Sequence, residues 1–440
     1  MENSLPQTFN NSLITCVVNK KPGCQIELEV TASRDLISSS QSQAIKYFAK
    51  GVSIPGFRKG KVPEAMILQR FAKECREKHQ EIVMQKALQE SLALTKIQPF
   101  NPENVSFKAK SFTEDSASFL FFFEVAPTIP QVDPSTFQLQ EVKRPVVDAE
   151  KIQETIRQTL FFYAKWDKVE SRPIVENDFV LLDMDVIEVD PPSSLFSNTR
   201  FEVVDRSMAK WLKDLILGKT PGDVVEGISV PDETADPLEK ETLKPQKVRV
   251  TIKSIEKPTL PEMTPELFKN LGVESEEDFK NKVEKLLQEQ ADQHVKEKQR
   301  EQVREFLLEK YPFDLPPTLL GNELRFRVSQ LNQSTEFLDY WRTLKPEEQL
   351  KLREVIQSQS EKAVKLFHLS EKLLRDNKLS PSPYSLPKSA DTALEALINP
   401  NPMQNYHQSP DVKRAEVLSK LILEQAEDYI IAQATGNVVG

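Results

Sequence analysis

The spacing of apolar and polar residues changes character several times along the chain. From Cys24 to Val30 (Cys-Gln-Ile-Glu-Leu-Glu-Val) the two classes alternate, the period-2 pattern of a half-buried strand. Residues 35–49 and 64–94 lack both glycine and proline and suit helices on either side of a loop at 51–63. The aromatic-rich run Ser118 to Val125 predicts a further strand. Strand, helix, loop, helix, strand is the order of an α+β module of roughly 110 residues.

Three prolines in nine residues, at Pro127, Pro130 and Pro134, then impose an extended, semi-rigid connector. A helix is expected from Asp148 to about Trp166, followed by a β-rich stretch whose clearest strands are Phe179 to Val189 and Gln246 to Ile255. Past Pro261 the pattern is helical, with long segments at 276–310, 318–342, 346–377 and 411–434 parted by Pro, Ser and Asn clusters. In the last of these, Leu418, Leu421, Ile422, Ala426 and Ile430 recur at helical spacing and predict one buried stripe. Lys296 to Glu301 contains no apolar residue, so that turn is expected to be solvated on most sides. Residues 380–408, rich in Ser-Pro and Asn-Pro, read as a loop with a short helix at 390–398. The fold class is therefore α+β multidomain, divided as 1–115, a linker and helix at 116–170, a β-rich unit at 171–257 and an all-α region at 258–440.

Composition narrows the function. Only 11 glycines stand against 30 prolines, and the longest apolar run, Phe119 to Phe123, is far below the roughly 20 residues of a bilayer span. No membrane partner is expected, and the first residues lack a basic start followed by an apolar stretch, which predicts a cytoplasmic location. Cys16, Cys24 and Cys75 form no C-x-x-C pair and read as reduced thiols. His79, His294, His368 and His407 are scattered, so no metal site is expected, and no Walker, G-x-G-x-x-G or G-x-S-x-G motif calls for a cofactor or a hydrolase nucleophile. The acidic run Glu274 to Asp278 reads as a helix start, with Ser275 capping Asp278. The net charge of -9 is uneven: residues 1–112 carry 16 Lys+Arg and 10 Asp+Glu, a local +6, and the remainder carries -15. Only the N-terminal quarter suits an anionic partner.

The sharpest local feature is Ile54-Pro55-Gly56-Phe57-Arg58-Lys59-Gly60-Lys61-Val62-Pro63. Gly56 and Gly60 permit positive φ, Pro55 and Pro63 fix φ at the ends, and three cations and one aromatic lie between. Two readings fit: an exposed cationic finger for phosphate or an acidic protein rim, or a solvated interhelical turn with Phe57 packed inward.

The segment matches the ribosome-docking signature G-F-R-x-G-x-x-P of the bacterial trigger factor chaperones at Gly56, Phe57, Arg58, Gly60 and Pro63. The resemblance continues through the Cys24 to Val30 strand, the proline-rich connector, Ala164-Lys165-Trp166, the stretch Leu260 to Leu267 with Leu271-Gly272-Val273, and Phe313-Asp314-Leu315-Pro316. It implies an N-terminal ribosome-binding unit, a middle FKBP-like domain that isomerises X-Pro bonds, and a helical C-terminal chaperone region with arms. By resemblance Phe57, Arg58 and Lys59, with Gly56, Gly60, Lys61 and Pro63, form the docking loop. The implied partners are the large ribosomal subunit (exit-tunnel protein and rRNA) and nascent or unfolded polypeptides, without ATP, and with a weak homodimer off the ribosome.

Family landmarks in the middle unit fall at Asp178, Val180, Asp183, Gly218, Gly222 and Asp223. At the prolyl pocket, where the family carries aromatics, this sequence has Met184, Leu212, Thr234 and Val248, and the family's F-I-P-G-F loop reads Met208-Ala209-Lys210-Trp211-Leu212. Phe196 alone keeps an expected ring, and Trp211 is displaced by one position. An isomerase of this type works by desolvating the prolyl amide in an aromatic box, so the substitutions predict weak activity on a retained fold. Phe326, Leu331, Phe337 and Trp341 on one arm, and Phe367 on the next, are candidate client contacts, each equally readable as core between arms. Two other classes compete: a dedicated FKBP-type prolyl isomerase whose helices recruit substrates, and a translation factor that holds no clients.

Overall fold

The computed structural model describes residues 6–51, 62–169, 172–188, 193–205, 207–230, 245–379, 394 and 410–436. Its N-terminal part is an antiparallel sheet of β1 (Gln7–Asn10), β2 (Ile14–Lys21), β3 (Gln25–Ala32), β4 (Ser106–Phe112) and β5 (Ala117–Glu124), in the order β1-β2-β3-β5-β4. The alternation in β3 points Ile26, Leu28 and Val30 to one face, where Leu28 lies opposite Val18 and Phe121 in the neighbouring strands. Helices α1 (Arg34–Gly51), α2 (Glu64–Arg70) and α3 (Ala72–Thr95) follow, and α1 and α3 cover that face, with Leu36, Ile37, Val83 and Ala87 completing the core. His79 is part of this packing: its Nε2 lies 2.8 Å from the Ile37 carbonyl and its ring meets Phe112 edge-on, tying α3 to α1.

The β2–β3 hairpin closes through two successive left-handed residues, Gly23 (φ 75°) and Cys24 (φ 57°). This turn abuts the helical region. The Gly23 N–H donates to Asp314 Oδ2 at 3.3 Å, Cys24 Sγ lies 3.1 Å from the Asp314 carbonyl, and the Thr318 N–H donates to Glu124 Oε2 at 3.3 Å. Burial, then the Asp314 and Glu124 charges, push the Cys24 thiol above its ordinary range, so it sits there as a neutral donor.

A second antiparallel sheet comprises β6 (Lys165–Lys168), β7 (Phe179–Val186), β8 (Ser193–Glu202), β9 (Val224–Ser229) and the long β10 (Gln246–Thr259). The order is β6-β10-β7-β8, with β9 also on β10. Val248, Val250 and Ile252 face inward, and an irregularity between Ile252 and Ser254 resets the inward set to Ile255. Helix α5 (Lys210–Ile216) crosses β9 at Gly227, where a Cβ would stand 2.8 Å from the Leu215 side chain. The helix expected to reach Trp166 stops earlier. It is α4 (Ala149–Phe161), capped by Asp148 Oδ1 accepting the Lys151 N–H at 2.8 Å, and Trp166 lies in β6 against Phe161 and Phe179. Aromatic contact with the sheet outweighs helical continuation there.

The helical region contains α6 (Pro265–Leu271), α7 (Glu276–Lys310), α8 (Pro317–Leu331), α9 (Thr335–Thr343), α10 (Pro346–Asp376) and α11 (Pro410–Ala434). Ser275 Oγ accepts the Asp278 N–H at 3.1 Å and starts α7. The single helix expected over 318–342 is broken at 332–334, where Ser334 Oγ accepts the Phe337 N–H and begins α9 afresh. The short helix expected at 390–398 lies outside the described residues except for Leu394, which is helical and buried against Phe279 and its neighbours. No described helix is long and apolar enough to cross a membrane.

Two cores build this region. One joins α4, α6 and the first half of α7 through Ile152, Leu160, Leu271, Phe279 and Val283. The other joins the end of α7 to α10, α11 and the connector, whose Val132 and Phe137 are buried beside Val303, Leu369 and Ile430. The predicted stripe on α11 is buried at Ile422, Ala426 and Ile430, whereas Leu418 is 50% exposed.

Of the stretch Lys296 to Glu301, expected to be solvated on most sides, Lys296, Glu297 and Lys298 are exposed and only Arg300 is buried. Arg300 is buried and pairs with Asp428 at 3.0 Å, Lys296 reaches Asp428 at 3.0 Å, and Arg304 donates to Glu427 at 2.7 Å. The Glu427 side chain is 1% exposed, and burial pushes its carboxyl above the ordinary range against the pull of Arg304 and Arg300. Charged residues here extend the apolar contact between α7 and α11. Arg304→Met should cost about 2–4 kcal/mol in urea unfolding, the low end for stripping a buried charge because Arg304 itself is one-third exposed. Adding Glu427→Met should recover most of that loss; a double variant no more stable than the single one would refute the buried-charge account.

Candidate functional site

Three surfaces carry the residues singled out by sequence. The first is the loop between α1 and α2. Residues 52–61, and with them Gly56, Phe57, Arg58, Lys59, Gly60 and Lys61, lie outside the described residues, while Pro63 is exposed at the N-cap of α2. The ends of the loop are held by a small core of their own. Ile45 and Phe48 of α1 meet Val62, Met66 and Ile67, and Phe71 and Cys75 close the cluster from the start of α3. Phe48 and Phe71 stack at 6.4 Å. Beside this cluster Tyr47 is exposed, with the Lys78 ammonium 4.8 Å from its ring centre. The two ends of a cationic segment are thus stapled together by apolar contacts.

The second surface is the middle sheet. Met184, Met208, Leu212 and Val248 are all buried in its core, with Phe196 and Trp211 packed partly buried against them; Ala209 is half-buried, and Thr234 lies outside the described residues. Met184 is the register partner of Phe196 across β7 and β8, and the Phe196 ring meets Phe201 at 5.0 Å. Six of the eight candidate pocket residues therefore converge on one apolar cluster. No acid, base or nucleophile stands among them.

The carboxylates of this unit serve the backbone. Asp178 takes both Arg172 nitrogens, at 2.6 and 2.7 Å, and the Val175 N–H at 2.9 Å. Burial alone would raise its carboxyl, but these partners together hold it below the ordinary range. The Asn198 N–H and then Lys253 hold Asp183 down, and the Thr220 N–H and hydroxyl do the same for Asp223. Among the described residues there is no cluster of three or more His, Cys, Asp or Glu arranged to hold a metal ion.

The third surface is the arm. Leu331, Phe337 and Trp341 come together with Leu324, Val328 and Ile356 around an open groove of about 460 Å³ between α8, α9 and α10. No described side chain of α8 or α9 is fully buried. Phe326 is exposed but does not line the groove, and Phe367 packs against the core of α7, α10 and α11. Sequence reasoning missed Leu324, Val328, Ile356 and Arg353. The available signal was on α10, where Arg353 has Gln349, Leu350, Ile356 and Gln357 at helical-neighbour spacing and so no acid on its own face.

Comparison with known proteins decides the family. The family described as bacterial trigger factor protein matches residues 14–159, and its C-terminal counterpart matches residues 275–432, together more than half of the chain. The chain belongs to the trigger factor family. A trigger factor of Protochlamydia amoebophila (strain UWE25) is 27% identical over 384 residues, covering 86% of this chain and 85% of that one. A trigger factor of Chlamydia pneumoniae is 25% identical over 98% of each chain, and that of Cellvibrio japonicus (strain Ueda107) 24% over 94% of each. A solved structure reported under the words "promiscuous substrate recognition in folding and assembly activities of the trigger factor chaperone" aligns with 94% of this chain and 99% of that one, at 18% identity and a TM-score of 0.42. The two matched stretches of this trigger factor family member contain β2 to β5 of the first sheet with the loop anchors, and the arm with most of the helical region.

The paired carboxylates predict acid sensitivity of the middle sheet. Their folded pKa values lie below the unfolded ones, so their contribution is complete above the unfolded value near 4 and is lost as pH falls through the depressed folded values. Urea midpoints read by Trp166 and Trp211 emission should drop between about pH 4 and pH 2, and Asp223→Asn should flatten that slope. An unchanged slope would remove Asp223 from the account.

Proposed function

We propose that this chain is an ATP-independent, ribosome-associated chaperone of the cytoplasm, docking by the loop Gly56 to Pro63 and shielding apolar segments of newly made chains along its helical region. In this reading residues 1–115 form the docking unit, 171–257 a domain with an FKBP-like plan, and 258–440, together with the connector and helix of 116–170, the chaperone body. The observation that carries it is the arm: a trigger factor family chain extends three helices whose apolar side chains around one groove remain open to solvent. Exposed apolar surface with a polar rim accepts many unfolded sequences, and weak contacts suffice where no nucleotide drives release.

Docking is supported by charge. Residues 51–80 hold seven Lys+Arg and three Asp+Glu, a complement to rRNA phosphate and acidic protein, while the acidic remainder of the chain is repelled from the same surface. Arg58→Ala with Lys59→Ala should abolish co-sedimentation with ribosomes yet leave suppression of aggregation of an unfolded protein unchanged in the absence of ribosomes and ATP. Full co-sedimentation of the double variant would exclude the loop as the docking element.

The prolyl isomerase of this reading is weak. Its support is the packing of Met184, Met208, Leu212 and Val248 into the core, where aliphatic side chains replace the rings that would wall a prolyl amide. A protease-coupled prolyl-peptide assay should give kcat/KM far below that of an aromatic-lined FKBP domain; a comparable value would overturn this part and restore the dedicated isomerase as an alternative.

A further inference from the structure

The middle sheet joins the helical body through a narrow neck. The chain enters it at 162–164 and leaves it at 260–264, and Lys165 and Thr259, next to these crossings, are register partners on β6 and β10. Two adjacent crossings resist stretching but leave a sheet able to swing about them. The order β6-β10-β7-β8 puts β8 at the edge away from the neck, three strand spacings or about 14 Å from β6. One register row, Lys168, Glu256, Phe179 and Glu202, runs from edge to edge. At its far end a cation of the body takes hold. Arg157 on α4 binds Glu202 with two prongs, Nη2 to Oε2 at 2.7 Å and Nη1 to Oε1 at 3.0 Å, while its Nε donates to Glu154 Oε2 at 3.1 Å.

Helix α4 has a face for each side. Ile152, Ile156 and Leu160 recur at every fourth residue and pack in the core with Phe279 and Val283 of α7, whereas Arg157 and Phe161 form a second stripe in contact with the sheet. Phe161 meets Phe179 at 5.0 Å and Trp166 at 5.7 Å. The Arg200 guanidinium carbon stands 3.9 Å from the Trp166 ring centre, a distance that only an approach over the ring face allows, and its Nε and Nη2 both reach Glu256 Oε2, at 2.7 and 2.6 Å. Ring contacts draw α4 onto the sheet but tolerate many angles; a planar fork on a carboxylate tolerates few. The Glu202 side chain is 10% exposed and that of Arg157 32%, so water and salt reach the pair from the helix side. We propose that Arg157 and Glu202 form a releasable latch between the helical body and the middle sheet. Shut, it gives the sheet a second point of support, and the apolar cluster of the sheet keeps one orientation to the body. Open, the sheet swings on its neck. Screening by salt opens the latch, and so does loss of either partner.

The test uses the full chain, deuterated and nitrogen-15-labelled, and reads the amide order parameters of β7 and β10 relative to the tumbling of the body. In the unaltered chain at low ionic strength these should stand at about 0.85, the value of a rigid backbone, and fall below about 0.6 in roughly 1 M salt, where the screening length is about 3 Å. Arg157→Gln and Glu202→Gln should each give the low value at every salt concentration. Glu154→Gln leaves the two-pronged pair in place and should keep the salt dependence of the unaltered chain. Urea midpoints read by Trp166 and Trp211 emission report separately on the sheet itself. Order parameters that are the same in all four chains, or a lower urea midpoint in Arg157→Gln with no gain in motion, overturn the latch and leave the pair a local stabiliser.

Discussion

A helix of 35 residues is about 52 Å long, more than one core of this size can cover, and the architecture turns on how α7 is accommodated. Its first turns belong to one apolar cluster and its last turns to another, and between them Ala291 and Val295 are the only apolar side chains among charged and polar ones. The middle is held by Arg300, Arg304 and Lys296 against Glu427 and Asp428 on α11. Ion pairs of this kind gain little over apolar packing in energy, but they demand fixed partners, so they set the register of α11 on α7 while the two cores set only proximity. The connector and α4 then attach to the two ends of the same helix, bringing chain from before the middle sheet into the cores of the helical region that follows it.

Much of this was legible in sequence wherever a single period governs the chain. The alternation in Cys24 to Val30 and the long glycine-free stretches correspond to β3, α1, α3, α7 and α10 because local patterning and tertiary packing agree there. It failed where distant residues decide. Trp166 continues a helical pattern on paper, yet contact with Phe179 on another strand draws it into β6. Arg300 reads as solvent-facing because the acid that accepts it is 128 residues away. Leu418 fits the apolar stripe of α11, yet half of its surface is exposed.

The candidate sites divide along the same line. The proposed docking loop is a contiguous motif of glycine, proline and cations, so it stands out in the sequence alone. The arm groove is assembled from three helices, and its members Leu324, Val328 and Ile356 look like ordinary periodic apolar residues until the helices are seen to leave them open. The prolyl-pocket positions lie between these cases: their identities are local, but that Met184 and Phe196 face each other follows only from strand register.

The contact of the first sheet with Asp314 and Thr318 has a mechanical meaning. These two residues flank Leu315-Pro316-Pro317, the point at which α8 leaves the body, and two consecutive fixed φ angles make that root stiff. The hairpin turn and Glu124 grip the root on both sides of the prolines. A load on the loop-bearing sheet therefore falls directly on the root of the groove-bearing arm, as on a bracket fixed on both sides of its bend.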